Sequence, residues 1–253
     1  MWKLRFIGKL KTIRYFVKWI FGLWFFNGKI ITVGRGPLKG LNWKCSSNQQ
    51  FWMPLGVYEQ ETANWLLASL YEGSVFFDIG ANFGYFTLMG AKAVGAKGKV
   101  ISFEPIPANH SYIKELISLN AFDNAVCEKV AISDMGGTVE FAVEKNNANS
   151  HLANINLKHA SSQVLERVLV QAISLDDFCE KNVVPDVVKC DVEGAEVLVL
   201  SGAKTLLEKK KTKWIISCHS QELKAECRKI MLDSGYSVDE LDSFHHELLC
   251  IPS

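Results

Sequence analysis

The chain has 253 residues, of which 48% are hydrophobic and 22% are charged. These are the values of a folded globular protein with enough residues for a full core, and they exclude collagen-like, mucin-like and wholly disordered chains. The formal net charge of +1 gives no reason to expect a nucleic acid as a partner.

This near-neutral balance hides two parts of opposite charge. Residues 1–58 carry ten Lys or Arg, five of the seven Trp and no acidic residue. Residues 59–253 carry 18 basic and 27 acidic side chains, a net charge of −9. The sequence therefore predicts a basic, aromatic leader over residues 1–57 and a globular domain over residues 58–253.

Apolar residues of the leader follow the period of a helix, at steps of three or four, and Lys and Arg side chains occupy another face. The uncharged run at 19–26 is too short to span a membrane, which takes ~20 residues. We expect a basic amphipathic helix that binds the surface of an anionic membrane through residues 1–28. Packing of this helix on the globular domain or on a second subunit is the main alternative, and an export signal is a weaker one. The apolar stripe consists of Trp2, Phe6, Leu10, Ile13, Val17, Ile20 and Trp24.

The seven cysteines do not follow the spacing of a disulfide framework or a zinc site. No two of them form a C-x-x-C pair, and Cys190, Cys218 and Cys250 lie in apolar runs. Both kinds of site require closely spaced thiols. We therefore expect reduced, structural cysteines in a cytoplasmic protein.

In the globular domain, short β-rich runs alternate with stretches of helical period. Helices are predicted at 59–71, 85–94, after Pro107 as far as Asn120, and at 196–209 and 222–234. Strands are predicted at 75–79, 99–104, 126–132, 186–190, 214–218, 236–241 and 248–251, with strand-like runs at 138–143 and 168–173. This alternation predicts an α/β fold whose parallel sheet is covered on both faces, with ligands bound at the carboxyl ends of the strands.

The first of these strands ends in a glycine-spaced loop, DIGANFG at 78–84. Gly80 and Gly84 allow a sharp turn and a close approach to a ligand, and the next helix offers free N–H groups to an anionic group. Asp78 is an acceptor suited to an ammonium group or a bound water. The spacing differs from the G-x-G-x-x-G of dinucleotide-binding proteins.

Acidic residues also follow two further strands. Glu104 stands 26 positions after Asp78 and can accept both hydroxyls of a ribose, so the pair describes a site for an adenosine that bears an amino acid. Asp191, Glu193 and Glu196 surround Gly194 and could hold a cation, steer a sulfonium or cap the next helix. A structural glycine turn with solvated carboxylates is the alternative.

Four segments, in this order, resemble the FkbM-type S-adenosylmethionine-dependent methyltransferases: DIGANFG at 78–84, FEP at 103–105, SLDDF at 174–178 and VKCDVEGAE at 188–196. The resemblance covers roughly residues 58–236. It implies a class I methyltransferase fold, a Rossmann-like, doubly wound seven-stranded sheet with one antiparallel strand. It also implies S-adenosyl-L-methionine as the cofactor and methylation of a hydroxyl on a small molecule, such as a sugar, a glycan or a natural product.

On this resemblance, Asp78 and Asp191 would face the methionine end of the cofactor, Glu104 its ribose, and residues 131–133 its adenine. The expected cofactor-binding residues are Asp78, Gly80, Ala81, Asn82, Gly84, Phe86, Glu104, Pro105, Ala131, Ile132, Ser133 and Asp191.

A hydroxyl is a poor nucleophile at neutral pH, so a general base should lie within hydrogen-bond reach of it. The candidates are Lys189, Asp191, Glu193 and His219, the last of which stands at the carboxyl end of the strand at 214–218 and could instead be structural. Asp191 and Glu193 could supply oxygen ligands to Mg²⁺, but two carboxylates are not a dedicated site, and no obligatory metal is predicted.

Two other functions fit parts of the sequence. One is a membrane-tethered binding module that keeps the cofactor pocket without catalysis. The other is a nicotinamide-dependent oxidoreductase, which would need a diphosphate loop with a different glycine spacing. If the leader binds the cytoplasmic face of a membrane, a lipid-linked glycan is a natural acceptor, since enzyme and acceptor then share one surface.

Overall fold

The computed structural model describes residues 28–46, 53–144, 151–152, 164–241 and 246–253. The chain divides into two compact units, Met1–Tyr58 and Glu59–Ser253. The amphipathic helix predicted for the leader lies outside the described residues. In the part of the chain that the structure describes, no helix has the length and the apolar character needed to cross a membrane.

The first unit contains a small antiparallel hairpin that the sequence did not predict. Strand β1 (Ile30–Thr32) pairs with β2 (Asn42–Lys44), and the Val33 amide donates to the Leu41 carbonyl at 2.8 Å. Strands of three residues are too short to show a period-2 pattern, which explains why they were missed.

The second unit alternates strands and helices along the chain. Its strands are β3 (Val75–Ile79), β4 (Lys99–Phe103), β5 (Ala125–Glu128), β6 (Ala131–Ser133), β7 (Gly137–Glu144), β8 (His151–Leu152), β9 (Val164–Ser174), β10 (Val187–Cys190), β11 (Lys213–Ser217), β12 (Tyr236–Glu240) and β13 (Glu247–Pro252). Its helices are α1 (Gln60–Ser69), α2 (Tyr85–Val94), α3 (Pro107–Leu119), α4 (Leu175–Lys181), α5 (Glu196–Ser201), α6 (Lys204–Glu208) and α7 (Gln221–Asp233).

The main sheet has seven strands in the order β12-β13-β11-β10-β3-β4-β5. Strand β13 runs antiparallel to both of its neighbours, and the pairs from β11 to β5 are all parallel. The chain starts this sheet at β3, builds outward to β5, and returns to β10 on the other side of β3. This confirms the predicted doubly wound sheet, and the reversal of strand order between β3 and β10 marks the expected ligand site.

Two predicted elements are each divided in the structure. The predicted strand at 126–132 is two strands, because β5 belongs to the main sheet while β6 joins a second sheet of order β6-β9-β7-β8. The predicted helix at 196–209 breaks at Gly202, whose backbone lies so close to β6 that a Cβ atom there would be 2.1 Å from the Ser133 carbonyl oxygen. Both predictions were wrong at points where the chain meets the second sheet.

The SLDDF segment explains how the broken helix is held. The Ser174 hydroxyl accepts from the Asp177 amide at 3.0 Å and caps α4. The Asp176 carboxylate accepts from the amides of Thr205 and Leu206 at 2.8 and 3.0 Å and so caps α6. The Asp176 amide donates to the Gly202 carbonyl at 2.9 Å. Side-chain caps of this kind satisfy helix amides that have no partner within the helix.

Both faces of the main sheet are buried, by α2 against Phe76 on one side and by a core cluster under α4 to α7 on the other. Phe77, Phe103 and Phe178 pack edge to face, with ring centroids 4.9 to 5.7 Å apart. All seven cysteines are free thiols and six of them are buried. Among them, Cys190 and Cys218 belong to this core.

Because side chains alternate along a strand, Lys189 and Asp78 project from the opposite face, toward α2.

Candidate active site

A cleft opens at the carboxyl ends of β3, β4 and β10, where the strand order reverses. Eight of the predicted site residues line it: Gly80, Asn82, Glu104, Pro105, Ala131, Ile132, Asp191 and Glu193. We refer to its two parts as the Glu104 end and the Asp191 end, the latter including Glu193. Seven predicted residues do not line the cleft, namely Asp78, Ala81, Gly84, Phe86, Ser133, Lys189 and His219.

The glycine loop brings the end of β3 against the end of β10. Gly80 has a φ of +77°, and a Cβ atom there would lie 1.9 Å from the Asp191 carbonyl oxygen. The amides of Gly80 and Ala81 both donate to the Phe103 carbonyl, at 3.0 and 3.2 Å. Gly84, with a φ of +78°, precedes α2. Only glycine fits at position 80, because any side chain would displace the backbone of Asp191.

At the Glu104 end, the donors to a buried carboxylate that the structure describes are all uncharged. Its Oε2 accepts from the Asn82 amide at 2.8 Å and its Oε1 from the Ile106 amide at 2.9 Å. The Asn109 side chain is a third donor. Burial raises the pKa of Glu104 to about 8, although these hydrogen bonds oppose the shift. A carboxylate has about four acceptor positions, so Glu104 can still accept from a ligand.

Beneath the Asp191 end, the side chains of Lys189, Asp78 and Thr87 form a buried polar group. The Lys189 ammonium donates to Asp191 Oδ2 at 2.9 Å and stands 4.8 Å from the centre of the Phe86 ring. Asp78 Oδ2 accepts from the Thr87 hydroxyl at 2.7 Å. Among the described atoms, Asp78 Oδ1 is buried and has no hydrogen-bond partner.

Charge explains how this polar group is maintained. Burial disfavours the Lys189 ammonium, but the carboxylates of Asp191 and Asp78 outweigh it and raise the pKa of Lys189 above its ordinary value. Burial also raises the pKa of Asp78, and the charge of Lys189 opposes that shift. Lys189 thus remains a cation and supports the neighbouring carboxylates, which makes it a poor candidate for a general base.

His219 follows β11 and contacts three carboxylates. Its Nδ1 lies 2.9 Å from Glu196 Oε1, and its Nε2 lies 3.2 Å from Glu193 Oε2 and 3.5 Å from Asp191 Oδ1. Burial disfavours the charged ring, but the hydrogen bond to Glu196 and the charges of Asp191 and Glu193 raise the pKa of His219 to about 10. The ring is therefore an imidazolium at neutral pH, and both of its nitrogens donate.

Glu193 is the carboxylate of this group that lines the cleft and titrates near neutrality. Burial and the charge of Asp191 raise its pKa to about 7, and the charge of His219 limits the rise. Its backbone has a φ of +52°, which is rare outside glycine. Asp191, Glu193 and His219 each place one potential ligand atom within 4.8 Å of the others. Both ring nitrogens of His219 already face carboxylates, and we assign no metal to this group.

Several residues of the cleft were not predicted from the sequence. Asn109 is a polar residue in the first turn of α3, and its side chain is buried. A buried polar side chain marks a residue of interest, but its burial becomes known only with the fold. Phe141 comes from β7 and reaches the cleft through the second sheet. No local pattern points to Phe141, because its position depends on the pairing of β6 with β9.

The chain is similar to known methyltransferases. The family model of the methyltransferase FkbM domain matches residues 78–246. The solved structure of methyltransferase FkbM from Methylobacillus flagellatus KT is similar with a TM-score of 0.50 and 16% identity, over 70% of this chain and 43% of that chain. Precorrin-6y C5,15-methyltransferase from Geobacter metallireducens GS-15 is similar with a TM-score of 0.51 and 12% identity, over 78% of this chain and 90% of that chain.

These similarities differ in what they establish. Both structural neighbours are too distant in sequence to show more than the fold. This chain spans less than half the length of the Methylobacillus protein. No curated protein matches the sequence. The family model is different, since it covers most of the second unit and all of the cleft residues.

Proposed function

Because the chain belongs to the FkbM family of S-adenosylmethionine-dependent methyltransferases, we propose that it methylates a hydroxyl group of a sugar, a glycan or a natural product. The observation that carries this proposal is the pairing, in one cleft, of Glu104 at one end with Asp191 and Glu193 at the other. This arrangement can hold a polar cofactor at both ends and leave a carboxylate beside the reacting methyl group.

The residues of the cleft fit the cofactor. Glu104 would accept from the ribose hydroxyls, and Gly80, which lies against the Asp191 backbone, joins the two ends of the cleft. Asp78 lies beneath the cleft and does not line it, but it keeps a buried oxygen without a described partner, and a buried acceptor of this kind favours a donor such as the cofactor's ammonium group. Ala131 and Ile132 would border the adenine, together with Phe141.

The cofactor supplies an electrophilic methyl group on a positively charged sulfur. The chain's own contribution is to orient the acceptor oxygen in line with that methyl group, exclude water and accept the hydroxyl proton. The carboxylates of Asp191 and Glu193 line the part of the cleft where this proton would be released. A carboxylate with a pKa near neutrality suits that task better than a fully ionised one.

Cofactor binding can be tested by calorimetric titration with S-adenosylhomocysteine. We expect saturable binding by the wild type and at least a roughly tenfold loss of affinity in Glu104→Ala, since a hydrogen bond to a buried charged group contributes about 1.5–3 kcal/mol. The matched control is Glu140→Ala, which removes an exposed carboxylate that pairs with Arg167 on the second sheet. A folded wild type that does not bind would contradict the proposal.

The methylated atom is tested with a labelled methyl donor and a panel of acceptors. Sugars, lipid-linked glycans and polyols represent the proposed class, while amines and RNA represent the alternatives. Transfer to oxygen supports the proposal, and transfer only to nitrogen, carbon or RNA would overturn it. Absence of transfer in a protein that binds the cofactor would favour a non-catalytic binding module.

The leader adds a proposal of its own, supported by the helical period of its apolar residues and its ten basic side chains. We propose that residues 1–28 bind the cytoplasmic face of an anionic membrane and bring the enzyme to a lipid-linked acceptor. Co-sedimentation with anionic liposomes, with and without these residues, tests this directly. Equal recovery of both chains in the pellet would contradict it.

A further inference from the structure

The loop after β10 and the end of β11 place four side chains in a continuous chain of contacts. Glu196 Oε1 meets His219 Nδ1 at 2.9 Å, and His219 Nε2 meets Glu193 Oε2 at 3.2 Å. Asp191 Oδ1 lies 3.5 Å from the same Nε2. Of these four, only Asp191 and Glu193 line the cleft. The contacts thus run from a buried residue outward to the site of the proposed reaction.

We infer that Glu193 is the general base of the proposed methyl transfer and that Glu196 is a positioning residue, which acts by holding His219 against Glu193. This inference rests on the proposed function. It selects one of four candidate bases and gives Glu196, for which helix capping was one of three interpretations of the sequence, a role in the reaction.

The other candidate bases are already committed to contacts. Lys189 is buried and donates to Asp191 Oδ2, so its ammonium has no lone pair to accept a proton. Asp191 meets both Lys189 and His219 and is held by two cations. His219 uses both ring nitrogens on carboxylates. Among the described residues, Glu193 forms an ion pair with His219, and its side chain is 26% exposed, so one carboxylate oxygen can meet an acceptor.

The backbone supports the same assignment. Glu193 has a φ of +52° and Gly194 has a φ of +101°, a conformation that costs free energy and is retained where the surroundings require it. Glu196 Oε1 accepts from the Gly194 amide at 2.9 Å as well as from His219. The Glu196 side chain, which is fully buried, therefore fixes both the loop that carries Glu193 and the ring that faces it.

Among the described residues, four charged groups face Glu193 and three face His219. Glu193 faces His219, Asp191, Glu196 and Lys189, and His219 faces the three carboxylates. The positive ring favours the ionised form of Glu193, while burial and the other carboxylates oppose it. Glu193 can therefore accept a proton near neutral pH, and His219 stays charged while it does so.

The acceptor O–H bond breaks and its proton goes to a Glu193 carboxylate oxygen, while the oxygen forms a bond to the methyl carbon. The sulfur–methyl bond breaks with its electron pair on sulfur, which becomes the neutral thioether of S-adenosylhomocysteine. Glu193 then returns its proton to solvent through the open side of the cleft.

The decisive experiment is an NMR titration of full-length protein with ¹³C-labelled glutamate and ¹⁵N-labelled histidine, with S-adenosylhomocysteine bound. Resonances are assigned by their absence in Glu193→Gln and His219→Gln. We expect the Glu193 carboxyl to titrate at about pH 7 and the His219 ring to remain charged beyond pH 8. In Glu196→Gln, the midpoint of His219 should fall by about one pH unit or more, because the ring loses the carboxylate that accepts from its Nδ1.

The matched control is Glu247→Gln, which removes another fully buried carboxylate, one that accepts from the hydroxyls of Thr62 and Ser217. It should leave both midpoints unchanged. A His219 midpoint that does not move in Glu196→Gln would overturn the positioning role, since a purely structural cap leaves the ring's titration untouched. Bleaching of the Glu193 and His219 resonances by micromolar Mn²⁺ would assign a cation site instead and would also overturn the inference.

Kinetics with any acceptor found in the panel adds a second test. Glu193→Gln should lower kcat by about 10²- to 10⁴-fold with unchanged binding of S-adenosylhomocysteine. In His219→Gln, the acid limb of the pH profile should move to higher pH. A Glu193→Gln enzyme with wild-type kcat would refute the inference and leave the proposed function intact. A wild type that binds no cofactor would refute the proposed function, and the same titration without S-adenosylhomocysteine would still decide on the Glu196–His219 contact.

Discussion

At the Glu104 end of the cleft, the described donors to the carboxylate are all uncharged, whereas at the Asp191 end the carboxylates of Asp191 and Glu193 face two cations, Lys189 and His219. The same type of side chain is thus maintained by dipoles in one place and by opposite charges in the other. Amide donors leave the pKa of buried Glu104 at about 8, so its charge depends on pH and on a ligand. At the Asp191 end, Lys189 and His219 stay charged at neutral pH, whereas Glu193 titrates near pH 7.

The largest loss in the free energy of unfolding should come from removing the Lys189 cation. Lys189→Met leaves Asp191 and buried Asp78 without their shared ammonium group, and we expect a loss of about 3–5 kcal/mol in the free energy of unfolding. Urea denaturation at pH 7 measures it. Lys99→Met makes the same change at an exposed position and should stay within about 0.5 kcal/mol.

Glu104→Gln provides the contrast for that experiment. It removes a carboxylate that faces no described cation, and we expect the free energy of unfolding to change by less than about 1 kcal/mol at pH 7. Equal losses in Lys189→Met and Glu104→Gln would show that the two ends are not maintained in different ways.

A smaller loss of stability is expected where the two ends are joined. In Gly80→Ala, the new Cβ atom would lie 1.9 Å from the Asp191 carbonyl oxygen, at a φ of +77°. We expect a loss of about 2–3 kcal/mol in the free energy of unfolding, together with loss of S-adenosylhomocysteine binding. Gly73 has a φ of +93° but open space around it. Gly73→Ala therefore measures the cost of the backbone conformation alone, and we expect it to lower the free energy of unfolding by about 1 kcal/mol. Similar losses in the free energy of unfolding for Gly80→Ala and Gly73→Ala would contradict the close approach of Gly80 to the Asp191 carbonyl.

The smallest expected effect is a change in the affinity for S-adenosylhomocysteine with pH. Ribose hydroxyls that donate to Glu104 stabilise its ionised form, so cofactor binding should lower the pKa of Glu104 from about 8 and release a proton. The affinity for S-adenosylhomocysteine should therefore rise, by about tenfold or less, as pH increases toward 8, and should then level off. Calorimetry in buffers of different ionisation enthalpy measures the released proton. Glu104→Gln should bind more weakly and release none from this position, whereas an unchanged proton release in this variant would assign the effect to another group.

The sequence was informative where a residue type is tied to a strand end. The spacing of Asp78, Gly80 and Glu104 predicted which strand ends form the cleft, since the ends of adjacent parallel strands meet at one edge of a sheet. The contact between Glu196 and His219 was not predicted, because 23 residues separate them and their meeting depends on the packing of α5 against the end of β11. Phe141 and the break at Gly202 depend in the same way on the second sheet, whose pairing leaves no period in the sequence.

The position of β3 between β4 and β10 has a consequence for the order in which the protein is made. The Val75 amide donates to Asp186 Oδ2, a contact between residues 111 positions apart, and β3 forms its second ladder only with β10. A nascent chain that has emerged from the ribosome as far as β9 already contains Asp78, Gly80 and Glu104 but exposes one edge of β3 to solvent. Such distant pairings form slowly. The Asp191 end is therefore completed late in synthesis, and until then the open edge of β3 is the part of the chain most in need of protection from other strands.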